Sequence, residues 1–241
     1  MIALITGCTS GIGSSVAHIL AQNNYDIIIH YNSNEEKAIS LKSELESKYS
    51  IKCRLVKCDL RNEEEINALC SSIDSIDVLV NNAALEFNTD FNDKTKNDFL
   101  DVLNVNLVGP FLLSRNLGNK MYQNKKGCII NISSNNGIDQ YDPATLEYDA
   151  SKAGLISLTH NLAKEYSPYV NVNAIAPGWI LSDKVDKLNK ELDGMLEKTE
   201  SERILKKRFG TPDEVASLVY FLINNPYINN EVIRIDGGIK W

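Results

Sequence analysis

Tyr148 and Lys152 stand in i, i+4 relation within Tyr148-Asp149-Ala150-Ser151-Lys152, with Ser134 upstream. On a helix such a pair projects from one face, about a turn apart. An ammonium held beside a phenol stabilises the phenolate and lowers its pKa from about 10 toward neutrality. A phenol tuned in this way gives or takes a proton near pH 7, which is general acid–base chemistry. Taken alone, the pair could equally be an exposed helical contact in which the tyrosine merely packs.

A second motif opens the chain. Thr6-Gly7-Cys8-Thr9-Ser10-Gly11-Ile12-Gly13 follows an apolar run and precedes a helical pattern carrying Val16, Ala17, Ile19 and Leu20. A strand, a glycine turn and a helix N-terminus aim backbone N–H groups and a dipole at one place, where a pyrophosphate can sit. The spacing is G-x-x-x-G-x-G, not the common G-x-G-x-x-G.

To position such groups, the chain offers alternating apolar and amphipathic segments. Strand-like runs fall at 2–6, 26–31, 52–59, 78–81, 128–133, 171–175 and 232–235, and helical patterns at 12–22, 35–48, 63–71, 96–117, 146–167 and 212–223. This alternation predicts an α/β fold: one doubly wound, seven-stranded parallel sheet with helices on both faces and a ligand crevice at the strands' carboxyl ends. With 241 residues and no linker or repeat, a single domain over 1–241 is expected. The stretch 182–208 is highly charged and weakly periodic, and is read as a helical insertion or a lid over the crevice.

A net charge of −7 without a basic run argues against nucleic acid and anionic membranes as partners. No apolar run approaches membrane-spanning length. The first strand starts at Met1, and the five cysteines lack C-x-x-C spacing, so a cytoplasmic protein with reduced thiols is expected. His18, His30 and His160 are isolated from one another, and no metal site is expected.

With the glycine loop, Asn81-Asn82-Ala83, Ser134 and Tyr148…Lys152 in order, the chain resembles the classical short-chain dehydrogenase/reductase family over essentially its whole length. Arg208-Phe209-Gly210-Thr211-Pro212 and Asp236-Gly237-Gly238 resemble the bacterial 3-oxoacyl-acyl-carrier-protein reductase branch. The resemblance implies that Tyr148 exchanges the proton with the carbonyl oxygen. Lys152 lowers the Tyr148 pKa and binds the nicotinamide ribose, and Ser134 hydrogen-bonds the substrate oxygen. Asn106 holds a water linking Lys152 to solvent. Ser133 competes for the serine role; Gly137 follows Ser134 at the family's spacing and favours Ser134. For the cofactor, the resemblance implies Gly7, Thr9, Ser10, Gly11, Ile12 and Gly13 at the phosphates, and Asp59 with Leu60 at the adenine. It adds Asn82 and Ala83 after the fourth strand, Pro177 and Gly178 along the nicotinamide, and Ile180 and Ser182 at the carboxamide and phosphates. Ala84 and Ser182 depart from the family's usual glycine and threonine.

The second strand ends in Tyr31-Asn32-Ser33 with no carboxylate to meet a ribose 2′-OH, so these residues can donate to a 2′-phosphate. That favours NADP, with NAD the other candidate because Ser10 replaces a basic residue of NADP-binding relatives. The substrate is a carbonyl or secondary alcohol. A 3-oxoacyl thioester leads, with acyl carrier protein a candidate partner that Lys125 and Lys126 could meet beside the cleft. The polar run from Asn135 to Glu147, with Glu86 and Phe87, keeps a sugar or polyol dehydrogenase open. A catalytically silent nucleotide sensor is the alternative of another class. The resemblance also implies a homotetramer; the apolar face of Leu155, Leu158 and Leu162 with Val215, Leu218, Val219 and Leu222 is compatible with its contacts and equally with intramolecular core.

Overall fold

Near-continuous apolar strands demand cover on both faces, and the computed structural model, which describes residues 1–9 and 11–239, supplies it. Among the described residues the strands are β1 (Ile2–Ile5), β2 (Asp26–Tyr31), β3 (Cys53–Lys57), β4 (Val78–Asn81), β5 (Gly127–Ile132), β6 (Val170–Pro177) and β7 (Val232–Ile235). They form one sheet, ordered β3-β2-β1-β4-β5-β6-β7 and parallel throughout. Alternate side chains divide between two cores. Ile5, Ile29, Val80 and Ile130 pack with Val16 and Leu20 of α1 (Gly11–Gln22), Leu45 of α2 (Glu35–Lys48) and Val219 of α9 (Pro212–Ile223). Leu4, Ile28, Leu79 and Ile129 pack on the other face with Ile66 of α3 (Glu63–Ser71) and Leu113 and Leu117 of α5 (Gly109–Gln123).

Ile5 registers with both Ile29 and Val80, so β2 and β4 flank the end of β1. From β1 the chain winds outward to β2 and β3, then returns past β1 to β4. At that reversal the loops leave in opposite directions and open a crevice.

The helical pattern 96–117 is not one helix. It divides into α4 (Lys96–Leu103), a wide π turn over Asn104–Val108 and α5. The Gly109 N–H bonds the Asn104 carbonyl, and Pro110 follows with no N–H to restore the α-helical ladder. The helix α6 (Leu146–Glu165) stops short of 167, ahead of Pro168, whose ring disfavours a helical residue before it. Within 182–208 lie α7 (Asp183–Glu191) and α8 (Met195–Arg203), separated by a turn in which Asp193 and Gly194 both adopt positive φ. This pair has its own small core, Ile204, Phe209 and Ile239 with Trp179, Leu181, Val185 and Leu196.

Two expectations are corrected by this architecture. Lys126 pairs with Asp77 at 2.8 Å, and Lys125 lies over the Tyr169 ring. Asp77 precedes β4, both lysines precede β5 and Tyr169 precedes β6, so within the chain the two lysines lie at the sheet end opposite the crevice. Leu155, Leu162, Val215, Val219 and Leu222 are buried core, with Leu158 and Leu218 packed against it. The exposed apolar groups on the same helical layers are Leu100, Val108, Phe111 and Phe221. Among the described residues no helix is long and apolar enough to cross a membrane.

Candidate active site

At the carboxyl ends of the strands lie two cavities of about 530 and 460 Å³. Ile12, Asn82, Ala84 and Ile180 line both, so the two form one cleft.

The larger cavity gathers most of the residues expected at the cofactor: Gly7, Thr9, Gly11 and Ile12 from the glycine loop, Tyr31, Asn32 and Ser33 after β2, and Asp59 and Leu60 after β3. Asn82, Ala83, Ile180 and Ser182 close it. Ser10 lies outside the described residues. Gly7 has φ +62°, and a Cβ there would come within 2.8 Å of the Ala83 Cα. Gly13 lies behind the loop, where a Cβ would run into the Gly7 carbonyl oxygen. Asn82 fixes this geometry by donating through Nδ2 to the carbonyls of Thr6 at 2.9 Å and Gly7 at 3.1 Å. A tight loop at the N-terminus of α1, opening on a cavity of this size, fits a dinucleotide pyrophosphate. Beyond it, β2 ends on neutral polar side chains, with Asn32 and Ser33 exposed.

The smaller cavity contains Ser134, Tyr148, Lys152, Pro177 and Gly178. Ser134 faces the Tyr148 hydroxyl and accepts from the Asn136 N–H at 3.2 Å. Ser133 is committed elsewhere, donating to the Lys152 carbonyl at 2.9 Å. Lys152, only 2% exposed, donates through Nζ to the Ile132 carbonyl at 2.8 Å and lies 5.3 Å from the Tyr148 ring centre. Burial lowers its pKa to about 8, against the opposing field of Glu86.

The expected depression of the Tyr148 pKa is not found. Burial, then Glu86, push the phenol above its usual value, outweighing the hydrogen bond from Ser134. Lys152 spends its charge on the Ile132 carbonyl, so Tyr148 stands in the cleft as a protonated acid. Asn106 has partners of its own within the protein. It is fully buried, its Oδ1 accepting from the Leu85 N–H at 2.7 Å and its Nδ2 donating to the Leu85 carbonyl and Ser151 Oγ at 2.8 and 3.0 Å. The side chain thus ties the loop after β4 to α6, and it lines neither cavity. Three cofactor residues have further partners, the first being Tyr31, whose hydroxyl donates to the Glu35 carboxylate at 3.2 Å. The Asp59 carboxylate is held by Arg61 at 2.6 Å, and Ser182 caps α7 by accepting from the Val185 N–H at 3.2 Å.

Several groups facing the cleft carry no motif. His30 lines the larger cavity, and Asn135, Gln140, Trp179, Glu200 and Arg203 line the smaller. Trp179 donates through Nε1 to Glu200 at 3.1 Å and stacks on Phe209, which fastens α8 to the end of β6. A histidine ending an otherwise apolar strand was the one visible signal among them.

The family model for short chain dehydrogenase matches residues 1–193. The chain is 39% identical to 3-oxoacyl-(acyl-carrier-protein) reductase FabG of Aquifex aeolicus, over 99% of this chain and 96% of that protein. It is 40% identical to the protein of the same name from Rickettsia prowazekii, over 98% and 95%. Among solved structures, L-sorbose reductase from Gluconobacter frateurii, complexed with NADPH and L-sorbose, matches with TM-score 0.93 at 26% identity, covering 99% of this chain and 95% of that one. With its glycine loop, parallel sheet and Tyr148–Lys152 cleft matched along the whole length, the chain belongs to the short chain dehydrogenase family.

Proposed function

We propose that the protein is an NADP(H)-dependent reductase that interconverts a ketone and a secondary alcohol, with a 3-oxoacyl thioester as substrate. The observation that carries this reading is the convergence of Ser134, Tyr148 and Lys152 on one cavity that continues into the dinucleotide-shaped one. The Tyr148 hydroxyl donates its proton to the carbonyl oxygen as that oxygen gains charge. Ser134 Oγ–H donates a second hydrogen bond to the same oxygen, stabilising it further in the transition state. The Lys152 ammonium, fixed on the Ile132 carbonyl 5.3 Å from the Tyr148 ring centre, stands beside the phenolate once the proton has left. The reduced nicotinamide, when bound, supplies the hydride. Asn106 keeps the loop after β4 against α6, and thereby keeps the cavity wall beside Tyr148.

A protonated Tyr148 suits reduction near neutral pH; the reverse reaction needs the phenolate and is favoured by alkali. NADP is supported by the neutral end of β2 and by the NADPH bound in the L-sorbose reductase. The thioester is supported by the names of the 39–40% identical relatives, and acyl carrier protein enters as its donor on the same ground. The polar wall of Glu86, Asn88, Asn136, Gln140, Asp142 and Glu200 favours a second reading, reduction of a hydroxylated carbonyl compound. Exposed Leu100, Val108 and Phe111 support association into a tetramer, which a solution mass measures. We further read α7 and α8 as a lid, since Val185, Leu188, Glu200 and Arg203 all face the smaller cavity.

The deciding experiment follows NADPH and NADH oxidation with acetoacetyl thioesters, on coenzyme A and on acyl carrier protein, beside small diketones and ketoses. Thioester turnover with NADPH is expected. Turnover confined to sugars would replace the leading reading by the second. No turnover with any carbonyl, in a protein that binds NADPH, would point to a nucleotide sensor.

A further inference from the structure

Gly7 adopts a left-handed backbone conformation in the middle of the glycine loop, and side chains hold both of its peptide groups. Its carbonyl accepts from Asn82 Nδ2 on the β4 side. Its N–H donates to His30 Nδ1 at 3.1 Å on the β2 side. The other nitrogen of the same ring, Nε2, lies 3.0 Å from the Cys58 carbonyl, just after β3. A carbonyl can only accept and an N–H can only donate, so one protonation state satisfies both contacts: neutral imidazole with its hydrogen on Nε2. His30 is 2% exposed, which leaves neither nitrogen a substitute partner in solvent. Backbone bonds close the arrangement, from the Cys8 N–H to the His30 carbonyl and from the Cys58 N–H to the Tyr31 carbonyl, both 3.1 Å.

We propose that His30 is a positioning residue for cofactor binding, its neutral Nε2–H tautomer clamping the glycine loop to the ends of β2 and β3. The inference rests on the proposed dinucleotide site and adds to it a residue outside the glycine motif. The three segments joined by this ring form three sides of the larger cavity. If the ring loses its hydrogen bonds, the part-buried Gly7 N–H is left unpaired, and the loop shifts to recover a partner. A side chain that only fills the space would have no such effect.

Two variants separate hydrogen bonding from packing. In His30→Asn, Oδ1 falls near the place of Nδ1 and can still accept from Gly7; His30→Phe keeps the ring volume and neither bond. NADPH titration by fluorescence is expected to show His30→Phe binding about tenfold more weakly or worse, and His30→Asn within about threefold of wild type. At saturating NADPH, kcat of His30→Phe is expected to stay within about twofold, because the ring touches no reacting atom. Nitrogen NMR of the wild-type imidazole should report Nδ1 unprotonated and Nε2 protonated at pH 7, which tests the clamp even where a variant fails to fold. Phe binding as tightly as wild type, Asn binding as poorly as Phe, or a hydrogen on Nδ1 would each overturn the proposal. Wild-type protein that binds no nicotinamide dinucleotide would bring down the functional reading and the proposal together. Loss of contrast between the variants, in a protein that does bind NADPH, brings down the role of His30 alone.

Discussion

On the dinucleotide side of the cleft, amides, a neutral imidazole and backbone groups join the ends of β1, β2, β3 and β4, and the Asp59–Arg61 ion pair sits on the more open rim after β3. On the substrate side the walls are held by charge. Lys94 pairs with Glu147 at 2.7 Å, their side chains 8% and 1% exposed, and this pair straps the loop after β4 to the first turn of α6. Asp149 collects the Asn136 amide, the Asp142 N–H and the Thr145 hydroxyl at 2.7 to 3.2 Å, setting the wall between Ser134 and Tyr148. Neutral pairs at strand ends can be kept whatever the substrate. The charged pairs sit on loops around one particular cavity, so specificity can change there while the cofactor side stays as it is.

The largest effect should fall where the two sides meet. Tyr148→Phe removes the proton donor and is expected to cut turnover by about 10²- to 10⁴-fold. NADPH affinity, set mainly on the other side, should remain within a few-fold of wild type. A variant that lost binding as fully as turnover would show that the two sides are not separable.

Next comes the buried pair. Lys94→Met leaves the Glu147 carboxylate without its cation and is expected to destabilise the fold by about 3–5 kcal/mol. Removing both charges, as Lys94→Met with Glu147→Leu, should recover most of that loss, because two apolar groups carry no desolvation penalty. Thermal unfolding measures the stability. In parallel, the KM for the carbonyl substrate should rise in the single variant while the KM for NADPH holds. If the NADPH KM moved as much, the strap would belong to both sides.

How much of this was readable beforehand follows the same division. The glycine loop and the alternating strands are local patterns whose spacing points to a pyrophosphate crevice, and the family resemblance adds Asn82 to them. Asn106 stands in a recognisable motif, but its π turn does not show, because 96–117 keeps a helical periodicity in which Pro110 is the local sign of a break. His30 needed the parallel register: residue 30 meets residue 7 only once Ile5 lies beside Ile29. The strap is further out of reach, since Lys94 and Glu147 lie 53 residues apart and nothing local marks either as buried. The direction of the Tyr148 shift is not legible in the sequence for a related reason. The i, i+4 spacing shows the lysine but neither the depth of burial nor Glu86.

Acid should test the dinucleotide side by itself. Burial lowers His30 to about 4 from an ordinary 6.5. Between those values the unfolded chain binds a proton that the folded chain refuses. The stability owed to neutral His30 is therefore complete above pH 6.5 and is lost as pH falls toward 4. Fully developed, the loss is about 3 kcal/mol. The titratable groups around the ring are Asp59, held ionised by Arg61, and the Cys58 thiol, which burial keeps neutral. Glu214, held down to about 2 by the Arg208 guanidinium, contributes only below its ordinary 4.5. Urea midpoints between pH 7 and 4.5 should fall for wild type and stay flatter for His30→Asn. Equal slopes would mean that the imidazole is not held neutral.

The smallest effect concerns the exposed end of β2. Asn32→Asp places a carboxylate where NAD-binding relatives carry one, beside the proposed position of the ribose 2′ substituent. At about 5 Å through solvent, its repulsion of a phosphate is worth about 1 kcal/mol, or about fivefold in affinity. A free 2′-hydroxyl would gain an acceptor instead. The ratio of kcat/KM for NADPH over NADH should therefore fall about fivefold, less at high salt because the site is exposed. The change should come from the cofactor KM and leave turnover of the carbonyl substrate alone. An unchanged ratio would place the 2′ substituent away from Asn32 and Ser33. The neutral end of β2 would then say nothing about cofactor choice, and even the better-marked side of the cleft would have to be read from structure rather than from its motif.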